Sequence, residues 1–184
     1  MLSLSLFLVS LAFSAAKAAC PTIVSRAEWG ARAPTGSSAM ANPVPYVVIH
    51  HGASAACTTK SSCISIVKGY QNLHMDTNGW ADIGYSFIVG EDGNVYEGRG
   101  WSKVGAHAPG FNSNSIGICV IGDFTSRNPN SLAINAVKDL IQCGVDLGKI
   151  KSTYSLRGHR DSSATACPGN TFYNLIKTWP AYGV

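Results

Sequence analysis

Two stretches of this chain carry apolar residues without alternation: Tyr46–His51 reads YVVIHH, and Ser115–Phe124 reads SIGICVIGDF. Successive side chains of a strand point to opposite faces, so a strand wetted on one side alternates apolar with polar residues. A continuous apolar run belongs to a strand covered on both sides. The chain therefore calls for a central sheet with helices as its cover. Ser61 to Met75 has helical spacing, with Ile64, Val67, Tyr70 and Leu73 on one face. Ser131 to Leu147 repeats that pattern through Leu132, Ala136, Leu140 and Cys143, and Gly148 supplies the stop. Gly84–Gly90 (GYSFIVG) reads as a strand, and VYEGRGW reads as its return. The turn between them is Glu91–Asn94 (EDGN), whose Asp-Gly accepts the positive φ of a hairpin. YSLRGHRD offers a further short strand, and Asn170 is the candidate N-cap of a last helix over NTFYNLIKTW. Residues 20–45, rich in Pro, Gly and Ser, read as an irregular arm. The expected class is α/β: a single domain with a central mixed β-sheet flanked by α-helices.

The N-terminus, MLSLSLFLVSLAFSAAKAAC, has an apolar run from Leu2 to Phe13 followed by small residues at Ala16-Lys17-Ala18. This predicts a secretory signal peptide over residues 1–18 and a folded domain over 19–184. The run is shorter than the ~18 residues of a spanning helix, and no later stretch is long enough, so no membrane partner is expected. Lys17 disfavours lipoprotein-type processing at Cys20. A secreted, extracellular chain meets an oxidising environment, where cysteines pair. Cys57 and Cys63 bracket CTTKSSC and suggest a local loop disulfide, while a Cys20–Cys143 bond would pin the arm to a late helix. The sequence alone leaves these pairings open. Cys119, inside an apolar strand, reads as a small buried hydrophobe. The formal net charge of +4 comes without dense Lys/Arg clusters, which excludes a nucleic-acid partner. A monomer is expected.

Gly158–Gly169, GHRDSSATACPG, places an imidazole and a thiol on one polar stretch. Zinc favours His nitrogen and Cys sulfur, and a catalytic site uses three protein ligands with a fourth position open. His50 or His51 at a strand end, His159 and Cys167 would supply such a set. Each residue also has a plainer reading: a histidine at a strand end is ordinarily surface or core, and CPG could be a disulfide-bonded turn. The ligands are scattered rather than grouped, so spacing by itself does not select zinc.

AEWGAR, VVIHHG, LHMDTNGWADIGYSFIVGEDGNVYEGRGW, GAHAPGFNSNSIGICVIGDF and GHRDSSATACPGN together resemble the peptidoglycan recognition proteins, animal relatives of phage-type zinc amidases. The resemblance covers essentially the whole mature chain. It implies an amidase-type mixed sheet flanked by helices, with Zn2+ at the floor of a groove. The function implied is a secreted N-acetylmuramoyl-L-alanine amidase of innate immunity, which cuts the amide between the lactyl group and L-alanine of bacterial peptidoglycan. The implied metal ligands are His50, His159 and Cys167. Tyr85 and Thr165 are the implied catalytic companions. His74, Tyr85, Arg99, Gly100, Trp101 and His107 are the implied substrate-binding residues. Strand periodicity turns His51 to the other face from His50, as a structural residue. The resemblance links GRGW to diaminopimelate-type peptides, because a guanidinium can bind the extra carboxylate bidentately. Many members have lost the cysteine ligand and only bind peptidoglycan; this chain keeps it, which favours an enzyme over a non-catalytic receptor. Gly52 departs from the threonine common after the His-His pair.

Overall fold

The structure, a computed structural model, describes residues 20–183; the leader expected over residues 1–18 lies outside them. Both apolar runs are interior strands. β1 (Ile23–Val24), β2 (Val44–His51), β3 (Phe87–Val89), β4 (Val95–Glu97), β5 (Ser115–Val120) and β6 (Ile150–Gly158) form one sheet in the order β1-β4-β3-β5-β2-β6. Among the described residues only β3 and β4 pair antiparallel, around the Glu91–Asn94 turn with Gly93 at φ 82°. The pairs β3–β5, β5–β2, β2–β6 and β1–β4 are parallel, so the sheet is mixed.

The strand period of two splits the core. One face presents Val47, Ile49, Ile116, Ile118, Val120, Phe87 and Val89. It packs on α3 (Ser131–Asp146) through Ala133, Val137 and Leu140, and on α4 (Asn170–Ile176) through Phe172 and Ile176. The other face buries Ile88, Tyr96 and Ile121 with Val67 of α2 (Lys60–Asn72) and Trp29 of α1 (Arg26–Trp29). That second cover lies over the β3–β4 end. Above β5 sits the ring of His107, which occupies the space a Cβ on Gly117 would need. The second face thus carries a cleft where the first carries a helix.

The arm read as irregular contains β1 and α1. Ser25 and Glu28 close a capping box around α1, and Trp29 is fully buried. The expected strand over Gly84–Gly90 shortens to β3: the Gly84 carbonyl accepts from the Ala106 N–H at 2.9 Å instead of a ladder partner, in a fit so close that a Cβ on Gly84 would stand 2.5 Å from the Ala106 oxygen. Asn170 does not cap α4. Its side chain accepts from Arg160 instead, and Gly169, at φ 89° against the Phe124 backbone, holds the cap position. A π-helical turn, Leu73–Thr77, extends α2 and carries His74.

The disulfides are Cys20–Cys143, spanning 123 residues, and Cys57–Cys63, spanning 6. The longer loop restricts the unfolded chain far more, by about 5 kcal/mol against about 2 kcal/mol on the loop-entropy relation. Replacing Cys20 and Cys143 with serine is therefore expected to lower unfolding free energy in denaturant titrations by about 2–3 kcal/mol more than replacing Cys57 and Cys63. Equal losses would contradict the assignment of the Cys20 bond as the main staple.

Candidate metal centre and cleft

Parallel pairing of β2 with β6 brings their C-terminal ends together. The register ends at Ile49 opposite Gly158, so the next residues, His50 and His159, stand side by side with ring centroids 4.4 Å apart. Beyond Gly158 the ladder stops, and the His51 N–H that would have continued it donates to Cys167 Sγ at 3.3 Å. His50, His159 and Cys167 each direct one ligand atom into a common space, all within 4.8 Å of one another. Tetrahedral zinc with ordinary Zn–N and Zn–S bonds separates its ligands by about 3.3–3.6 Å, so small side-chain closure suffices. Two imidazoles and a thiolate also match zinc's preferences. His51 points away, its Nδ1 accepting from the Phe124 N–H.

The rest of GHRDSSATACPG holds the two ligands in place. Arg160 donates to the carbonyls of Ala166 and Cys167 and to Asn170 Oδ1. Its own N–H donates to the Cys167 carbonyl at 3.0 Å. Asp161 accepts from the Gly158 N–H and from the Tyr173 and Tyr182 hydroxyls. Thr165 Oγ1 accepts from the Cys167 N–H at 3.2 Å, which leaves its own hydroxyl proton to point elsewhere. The charged residues beside His159 therefore brace the loop.

Burial keeps the site uncharged without a cation. Desolvation, then the neighbouring His107 and His159, hold His50 well below the usual imidazole range, and desolvation lowers His159 as well. Burial pushes the Cys167 thiol up to about 12, against the opposing His51 N–H and Arg160. Near neutral pH this half-buried thiol keeps its proton until a cation replaces it.

Tyr85 stands beside the cluster, its ring centroid 5.3 Å from that of His50. Burial raises its hydroxyl well above the usual phenol range, so it remains a donor. Cys119, in register with His50, lies on this same face. His74 stacks on Trp80 at 4.8 Å, and its Nδ1 accepts from the Gly84 N–H. Trp80, Ala106, His107, Pro109, Asn112 and His159 line an open cleft of about 340 Å³. Gly52 leaves room for Tyr70, whose hydroxyl lies 1.8 Å from where a Cβ would be and bonds Ser54 at 2.6 Å.

Two expected substrate residues, Trp101 and Gly100, sit differently. Trp101 packs at 4.4 Å on Phe87 and against Gly144 of α3, across the sheet from His50, so it does not line the cleft. Its neighbour Gly100, at φ 70°, abuts Glu97. Arg99 lines a cavity of about 220 Å³ with Arg26, Asp82, Glu97 and Lys103, close enough to the cleft for its charge to act on His74 and His107. Its guanidinium donates to the carbonyls of Ile83, Val104 and Asp82. The aromatic on the cleft that sequence reasoning missed is Trp80. Its signal was a large side chain directly after Asn78-Gly79, a turn-prone pair.

Metal uptake must release the Cys167 proton, since the thiol stays protonated below about 12. Titration with Zn2+ is expected to release about one proton per ion and to tighten about tenfold per pH unit between about pH 7 and 9, where the imidazoles are neutral. Calorimetry in buffers of different ionisation enthalpy measures the proton count; pH-independent affinity would exclude the thiolate as a ligand.

The sequence matches the N-acetylmuramoyl-L-alanine amidase family (Amidase_2) over residues 40–170. It is 47% identical over 175 residues to peptidoglycan-recognition protein SC2 of Drosophila simulans, covering 95% of each chain. Among solved structures, it is similar to the ectodomain complex of peptidoglycan recognition proteins LCa and LCx bound to tracheal cytotoxin. That match has 47% identity and a TM-score of 0.87, covering 88% of this chain and 98% of the other. Peptidoglycan recognition protein LE, solved with tracheal cytotoxin, a monomeric diaminopimelic acid-type peptidoglycan, matches at 39% identity and TM-score 0.87, covering 88% and 96%. On fold and sequence alike, the chain belongs to the peptidoglycan recognition protein family.

Proposed function

We propose that this protein is a secreted zinc amidase that binds bacterial peptidoglycan and hydrolyses its lactyl–L-alanine amide. The observation that carries the reading is Cys167, reduced and within ligand range of His50 and His159. Two imidazoles and a free thiol converging on one point form a zinc-type ligand set, which binding peptidoglycan does not by itself require. Binding itself is supported by the relatives solved with tracheal cytotoxin. Export is supported by the apolar leader and the two disulfides. Among the described residues no helix is long and apolar enough to cross a membrane.

When bound, zinc supplies a Lewis acid that polarises an amide carbonyl and makes water nucleophilic near neutral pH. His50, His159 and Cys167 would hold it and leave one side open to the cleft. Tyr85, neutral and beside His50, donates a hydrogen bond to the oxygen that gains charge as the amide is attacked. Trp80, with the buried His74 ring stacked behind it, forms a flat wall for the substrate. Asp161 serves as no base, because three donors already occupy its carboxylate.

Loss of turbidity of purified peptidoglycan, with release of L-alanine amino termini, is the direct test. Wild-type protein with Zn2+ is expected to be active. Chelator-treated protein and Cys167→Ser should lose activity while Cys167→Ser still pulls down with peptidoglycan. Full activity in either would remove zinc from the chemistry.

Arg99 supports a preference for diaminopimelate-type stems. A guanidinium has five N–H groups, and three are committed to carbonyls, leaving two for a carboxylate. One such charge-assisted bond contributes about 1.5–3 kcal/mol, so kcat/KM should favour diaminopimelate over lysine muropeptides by roughly tenfold or more. Arg99→Lys should narrow that ratio; equal wild-type rates would remove the preference.

A further inference from the structure

His107 makes contacts that lining a cleft does not require. Its Nδ1 lies 3.0 Å from His50 Nε2, and its Nε2 lies 3.4 Å from Ser115 Oγ. Ser115 Oγ in turn lies 2.7 Å from the Phe111 carbonyl oxygen. The direction of this chain is decided at its far end. A carbonyl only accepts, so Ser115 spends its single hydroxyl proton on Phe111. Ser115 Oγ can then only accept from His107, which places the His107 proton on Nε2. A neutral imidazole carries one ring proton. His107 Nδ1 is therefore an acceptor, and the proton between the rings belongs to His50 Nε2. His50 Nδ1 is left with a bare lone pair, and it is Nδ1 that faces Cys167 Sγ at 3.8 Å.

We infer that Ser115 and His107 form a positioning relay that holds His50 in its Nε2–H tautomer and so presents Nδ1 as the metal ligand. The inference rests on the zinc reading of the site for its purpose, though not for its geometry. The relay is rigid. His50 and Ser115 are buried, and His107 is 6% exposed. A Cβ on Gly117 would lie 2.4 Å from the His107 ring and one on Gly105 would lie 2.5 Å from it, so both glycines leave a slot the ring fills. Asn112 fixes the backbone beneath, its Oδ1 accepting from the N–H groups of His107 and Ala108 at 2.7 and 2.9 Å. With both nitrogens committed inward, His107 forms wall for the substrate and donates nothing to it. Ligating histidines generally hand their second N–H to a fixed acceptor, and losing that partner weakens metal binding about 10–100-fold.

The test begins with metal-free wild-type protein labelled with 15N in its imidazoles. Nitrogen shifts and two-bond couplings should report the Nε2–H tautomer for both His50 and His107; an Nδ1–H tautomer at either would overturn the relay. Ser115→Ala should then raise the Zn2+ dissociation constant about 10–100-fold in competition with a chromogenic chelator. Ser115→Thr, which keeps the hydroxyl, should restore it, and unchanged affinity in Ser115→Ala would overturn the relay. Should Ser115→Ala fold poorly, the wild-type tautomers still decide. Failure of the wild-type protein to take up Zn2+ would sink the amidase reading alone, and the tautomer result would stand independently.

Discussion

The site depends on the parallel register of β2 against β6. Parallel strands end at the same side of a sheet, and here the pairing runs out at Ile49 and Gly158. One residue further, the two chains deliver His50 and His159 to adjacent positions although 109 residues, the difference of their numbers, separate them in sequence. The broken ladder also leaves the His51 N–H free, and Cys167 Sγ takes it. A one-residue slip would turn His50 into the core of the opposite face and bring His51 forward, since the side-chain period is two. The apolar residues flanking His50 prevent that slip: Val47 and Ile49 are buried against α3 and α4 together with Ile116 and Ile118.

Around this register the structure separates bracing from chemistry. Arg160 and Asp161, the charged members of the loop, are consumed by carbonyls, an amide and two phenols. Groups left facing the common space are two imidazoles, a thiol and a phenol, all neutral because burial disfavours their charged forms. A partly buried neutral set with converging lone pairs gains most from a divalent cation, which replaces the thiol proton and is itself partly neutralised.

Much of this was legible from residue order. The unbroken apolar runs announced β2 and β5, and the two-residue period correctly separated His50 from His51. What failed did so for physical reasons. α1 was missed although Ser25-x-x-Glu28 spells its capping box, because Pro and Gly nearby dominated the reading of the arm. Asn170 has the chemistry of a cap, but Arg160 competes for its oxygen and wins. Trp101 and Trp80 each follow a glycine, and sequence offers no means of telling which one faces the cleft. The answer lies in tertiary packing, since Trp101 settles on Phe87, on the α3 side of the sheet. Ser115 left no trace as a site residue, because its link to His50 runs through a ring folded back from a loop.

The most direct test of the whole account is X-ray absorption at the zinc edge on protein reconstituted with one equivalent of Zn2+. A four-coordinate ion is expected, with one sulfur at about 2.3 Å, two imidazole nitrogens at about 2.0–2.1 Å and one light scatterer from solvent. A first shell without sulfur, or one with only oxygen and nitrogen scatterers that survives Cys167→Ser unchanged, would contradict it.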